Sequence, residues 1–277
     1  RDWSSAVCSS DLAAIDIPDV LDLDRLDGHD RALVRLALAN ALNYLDDAQR
    51  LRDLVRATEH DDTTPPYLRV LAIGWGSLLD SATGAALTTV VDALQELATA
   101  SEAGQLWLYG GLAHHNLAVV QLLRGEPTRA IGHARKAIDL LAASDADIAV
   151  ASSAHMCIAW ALADGSDWVG SAHEMATALL DRNAQVDVLA EAAILSGIRG
   201  SIDQSGELLA RADVHPQAGD LGGRALLTLA RRYVHLVSTG GTVVSRKSVD
   251  GEAWTDPTIL GLNVVLSGME HLLADGN

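Results

Sequence analysis

The chain has 277 residues, enough for one large domain or two small ones. Its residues are 49% hydrophobic but only 4% aromatic, with no Phe, which argues against strands of alternating aromatic and β-branched residues and for helices packed closely through small apolar groups. A net charge of −17 repels phosphate backbones, so direct nucleic-acid binding is excluded as its role, and no apolar run has the length of a membrane span.

In chain order, the first segment is the least protein-like. Arg1 to Leu12 resemble a common sequencing adapter translated in one frame, Asp-Trp-Ser-Ser-Asp-Val-Cys-Ser-Ser-Asp-Leu, with Ala6 the one departure. There is no initiator Met, and the first Met is Met156. These two features predict that residues 1–12 are an adapter-derived artefact and that the rest is a fragment of a longer protein. Setting the segment aside removes Cys8 and leaves Cys157 without a disulfide partner, which points to a reducing, cytoplasmic setting. Residues 13–28 read as an acidic linker. Within it, Asp22-Leu23-Asp24-Arg25-Leu26-Asp27-Gly28 has carboxylates in the wrong spacing for a calcium loop and lacks the closing Glu.

Prolines punctuate the chain from Pro18 onward. Pro18, Pro65, Pro66, Pro127, Pro216 and Pro257 all fall at the edges of apolar-periodic stretches, where a missing backbone donor is tolerated. The stretches between predict helices at about 29–44, 47–58, 66–80, 83–100, 104–124, 127–142, 146–164, 167–181, 184–199, 202–212, 220–237 and 257–273. Ala130, Ala134, Ala137, Ile138 and Leu141 recur at the three-and-four spacing of a helix stripe. Residues 29–238 thus form a helical array, 239–256 a loop, and 257–277 a terminal helix at which the chain is expected to be cut. The array has a rhythm of one helix pair every ~35–40 residues, the signature of a helical repeat.

Gly125, Gly165 and Gly200 each sit at the turn inside a pair. The clearest repeat is His114 to Leu141. It resembles a tetratricopeptide repeat: Leu117 and Ala118 match the large and small positions of the first helix, Gly125 the turn, and Ala130 and Ala137 the small residues where the helices cross. Gln121 departs from it, because an aromatic is usual there. After Gly200 the small residues are Ser205 and Ala212, whereas after Gly165 the spacing to Ala172 is two residues too long. The resemblance implies an all-α fold, a right-handed α-solenoid of tetratricopeptide-like helix pairs. The Ala-rich runs Ala113–Ala137 and Leu189–Ala212 further resemble the sensor region of large ATP-binding transcriptional regulators of the LuxR type. That resemblance implies a segment that senses an inducer or partner and acts on the protein's own ATPase and DNA-binding domains.

Motifs for chemistry are missing. There is no Gly-x-x-x-x-Gly-Lys-Ser/Thr, Gly-x-Ser-x-Gly or His-Glu-x-x-His. Asp46-Asp47 and Asp61-Asp62 lack the third carboxylate that magnesium–diphosphate chemistry needs, and they read as helix starts and turns. His114, His115, His133, His155, His173 and Cys157 lie in neighbouring helices without the tight paired spacing of a zinc site. The expectation is a non-catalytic segment with no metal and no cofactor, binding a protein partner or small effector. Trp75, Trp107, Tyr109 and Trp160 recur about once per pair in first helices, the helices that line the concave face of such arrays. Trp107, Tyr109, His114 and Asn116 are therefore the candidate binding residues. A stand-alone scaffold or adaptor is the rival reading, and an all-α enzyme the third.

Overall fold

The computed structural model describes residues 23–238, apart from 46–47, 82–86, 145–149, 181–184, 216–217 and 219–220. The adapter-like segment, Cys8, the loop at 239–256 and the helix expected at 257–273 lie outside the described residues. So do Asp46-Asp47 and the side chain of Trp75.

Every regular element among the described residues is helical. After a 3-10 turn at Leu23–Arg25 come α1 (Gly28–Leu45), α2 (Ala48–Glu59), α3 (Pro66–Ser81), α4 (Leu87–Ala103), α5 (Trp107–Leu123) and α6 (Pro127–Ala143). Then follow α7 (Val150–Asp164), α8 (Trp168–Leu180), α9 (Val186–Ile198), α10 (Ile202–Asp213) and α11 (Leu221–Ser238). Pro66 and Pro127 open α3 and α6, as the sequence predicts. Asp27 caps α1, its Oδ1 accepting from the Asp30 amide at 2.9 Å.

Each helix packs on the next in sequence. The odd-numbered helices make further packed pairs, α1 with α3, α5 with α7, α7 with α9, and α9 with α11, while no comparably packed pair joins two even-numbered helices among the described residues. α11 also reaches α1. The side chains explain the division. α9 is buried from Val186 to Gly197 except at Asp187 and Glu191, so it needs neighbours all round. α2, α6 and α10 carry one apolar stripe each, such as Ala130, Ala134, Ala137 and Leu141 on α6, and leave the other face wet.

One turn recurs in a fixed register. After α4, α5, α7 and α9 the backbone passes through a left-handed residue: Gln105 (φ 55°), Gly125 (φ 71°), Ser166 (φ 64°) and Gly200 (φ 81°). At each, the following amide reaches back to the helix: Leu106 N to Ser101 O (2.8 Å), Glu126 N to Gln121 O (2.9 Å), Asp167 N to Leu162 O (2.8 Å) and Ser201 N to Ser196 O (2.9 Å). The left-handed residue's own amide closes the inner bond, as Gly125 N does to Leu122 O at 2.9 Å. Five residues further on comes a small buried residue, Gly110, Ala130, Ser171 or Ser205. In the three pairs α5–α6, α7–α8 and α9–α10, a buried alanine follows twelve residues after the turn: Ala137, Ala178 and Ala212.

That register corrects one expectation. The irregular spacing after Gly165 disappears, because the left-handed residue is Ser166 and the crossing residues are Ser171 and Ala178, not Ala172. Gly165 is adjacent to the strained position rather than in it.

Candidate functional site

The four candidate residues of α5 lie on two faces. Positions seven apart share a helix face, so Trp107 goes with His114 and Tyr109 with Asn116, and the two pairs point roughly 160° apart. His114 is 6% exposed and turned into the packing between α4 and α6. Trp107, Tyr109 and Asn116 are partly exposed.

Tyr109 faces α3. Its ring centroid lies 6.4 Å from that of Tyr67, and Tyr67 lies 6.3 Å from His29 of α1. Three successive odd-numbered helices thus each contribute one ring to a strip. Burial, then the neighbouring Tyr67, pushes the Tyr109 phenol upward, so it stays neutral and keeps its O–H. Tyr67 and His29 escaped the sequence reading, because one ring per ~40 residues carries no local pattern. The recurrence of Tyr67 and Tyr109 near the starts of α3 and α5 was the available signal.

Further along the same layer, α7 and α9 are joined by polar contacts. Trp160 Nε1 donates to Glu191 Oε2 at 3.0 Å, and Ser153 Oγ lies 3.3 Å from Asp187 Oδ2. Asp187 and Glu191 are four apart and form the partly exposed stripe of α9. On α5, His115 has a buried Nδ1 with no hydrogen-bond partner, and burial pushes its pKa down to about 4. It is therefore neutral near pH 7.

His114 sits at the centre of a polar network. Its Nε2 donates to Glu102 Oε1 of α4 at 2.9 Å, and its Nδ1 meets His133 Nδ1 of α6 at 3.0 Å, with the two rings stacked at 5.2 Å. Lys136 Nζ reaches the other Glu102 oxygen at 2.9 Å. The hydrogen bond from His114, then that from Lys136, holds Glu102 below the usual carboxylate range. Burial first, then His114 and Arg129, lowers His133. Of the remaining residues considered for zinc, His155 pairs with Glu174 at 2.7 Å, His173 is exposed, and Cys157 is buried in a separate apolar cluster with Ala134, Ala154 and Ile158.

Two acidic segments find structural work. Asp61 opens the α2–α3 loop. It accepts from the Thr63 hydroxyl (2.6 Å), the Thr63 amide (3.0 Å) and Arg35 Nη1 (2.9 Å), while Arg31 Nε lies 3.1 Å away. The Thr63 bonds lead in holding its pKa at about 2. Arg69 Nη2 donates to the Asp61 carbonyl, so three guanidinium groups from α1 and α3 hold one loop. Asp27, His29 and Asp30 form the one group of three possible metal ligands among the described residues, and all three are exposed. Asp27 spends an oxygen on the helix cap.

No protein-family model, curated protein or solved structure matches this chain. No described helix is long and apolar enough to cross a membrane.

Proposed function

We propose that the chain is a non-catalytic interaction segment, a right-handed solenoid of tetratricopeptide-like pairs that binds a protein partner or small effector along its odd-numbered helices. The observation that carries this reading is the strip His29–Tyr67–Tyr109, one ring from each of α1, α3 and α5. Aromatic side chains are the commonest anchors of protein interfaces, and a repeat array sets equivalent positions of successive helices side by side. By its resemblance the segment serves a cytoplasmic LuxR-type transcriptional regulator. There it would sense the inducer or partner, bias its own ATPase between inactive and oligomeric states, and leave DNA contact to a separate domain. It would need no cofactor.

The contact of α11 with α1 favours a second reading, a self-contained scaffold or adaptor. The coding DNA beyond Asn277 separates the two: a helix-turn-helix frame supports the regulator, and an immediate stop codon overturns it. Binding is tested with the double variant Tyr67→Ala, Tyr109→Ala. A partner captured by the wild-type chain should be lost by the variant while its helical circular dichroism is kept. Equal capture by the two proteins removes the strip from the binding surface.

A further inference from the structure

Counted from the left-handed turn residue, His114 and His133 stand eleven before and eight after Gly125. His155 and Glu174 stand at the same two positions about Ser166, and Leu189 and Leu208 about Gly200. One interlayer contact is therefore filled in three ways in successive pairs: two imidazoles 3.0 Å apart, an imidazole and a carboxylate 2.7 Å apart, and two leucines 4% and 3% exposed. The three respond differently to protons. Leucines ignore them. Protonating His155 strengthens its bond to Glu174. An Nδ1–Nδ1 contact needs one donor and one acceptor, and its acceptor is lost when both rings are charged.

We propose that His114 and His133 share at most one proton and form an acid-sensitive latch between the α5 and α6 helices, in the middle of the array. With both rings neutral, His114 Nε2 donates to Glu102, so His114 Nδ1 accepts from His133 Nδ1. A first added proton is accommodated, because His114 then donates from both nitrogens, towards Glu102 and towards a His133 that accepts. A second turns both Nδ1 atoms into donors and stacks two cations. The groups around the pair are Glu102 from α4 and Lys136 and Arg129 from α6. Only Glu102 is anionic, and Lys136 already takes one of its oxygens. α7, packed on both helices, carries His155, which is turned to Glu174. Arg129 is itself paired with Glu126 at 2.7 Å, and both oxygens of Glu102 are taken, by His114 and Lys136, so a second proton on the pair meets no unshared carboxylate oxygen of Glu102. The latch is independent of what the array binds.

The test is the thermal midpoint of the full chain between pH 7.5 and 5.5. The wild type should fall by several degrees more than His133→Glu, which installs the pair found at His155 and Glu174. His115, whose buried Nδ1 has no hydrogen-bond partner, contributes a loss common to both proteins. His114→Leu with His133→Leu, copying Leu189 and Leu208, should likewise flatten the fall. An equal fall in the wild type and in every variant that folds overturns the latch. Should neither variant fold, the imidazole titrations of the wild type decide by NMR. Two well-separated proton uptakes by the pair support the latch, and independent uptake by both rings near the ordinary histidine value sinks it.

Discussion

At the scale of single residues, strain is unevenly distributed over four turns of the same geometry. Gly125 and Gly200 enter the left-handed region freely, whereas Gln105 and Ser166 enter it with a Cβ. Ser166→Gly should therefore stabilise the chain by about 0.5–1 kcal/mol, read as a higher urea midpoint. Gly125→Ala should cost about 1 kcal/mol in the same measurement. Asp61 gives a pH-dependent counterpart. Its pKa falls to about 2 on folding, so its contribution is complete above about pH 4 and is lost as pH drops through 2. At neutral pH, Asp61→Asn should cost about 1–2 kcal/mol after allowance for solvent screening, and the variant's stability should change less than wild type's between pH 4 and 2. Acid unfolding followed by circular dichroism checks both. Gly28 has a different necessity: a Cβ there would run into the Thr63 carbonyl oxygen, on the loop that Asp61 organises.

At the scale of elements, small residues let helix axes approach. Gly111 comes so close to α6 that a Cβ would meet the Leu141 side chain at 2.6 Å, and a Cβ on Gly197 would lie 3.3 Å from Ser205 Oγ. Ser205 is fully buried and its hydroxyl donates to the Ala193 carbonyl at 2.6 Å. Ser205→Leu should overpack the α9–α10 crossing and cost about 1–3 kcal/mol, seen as a lower urea midpoint, whereas Ser205→Ala should cost about 1 kcal/mol for the hydrogen bond alone. The helices themselves were legible in sequence, because prolines fix the starts of α3 and α6 and apolar spacing marks the stripes between. The repeat register was legible where glycine holds the turn, at Gly125 and Gly200. It slipped by one residue at Ser166, since a neighbouring glycine is the louder signal and nothing in a serine announces positive φ. The candidate site was legible in part. Tyr109 falls on the aromatic strip, but the partners of His114 lie 12 and 19 residues away on other helices, beyond any local pattern. Asp61 looked like a plain turn residue because its three arginines come from α1 and α3.

For the whole molecule, polar contacts divide the odd-numbered layer along its length. Near the N-terminal end it offers aromatic rings on α1, α3 and α5, and further on, at α7 and α9, an indole, a hydroxyl and two carboxylates. The middle, at α4, α5 and α6, holds the network of His114, His133, Glu102 and Lys136, which links three helices. The contact between α11 and α1 bears on how such an object comes apart. A linear stack coupled only to nearest neighbours has two loose ends, and melting starts there and travels inward. Among the described helices α11 also touches α1, so parting either of the two from the stack breaks that contact along with the one to its sequence neighbour. Their unfolding is thereby coupled, and the seam gives way together with whichever of them leaves first.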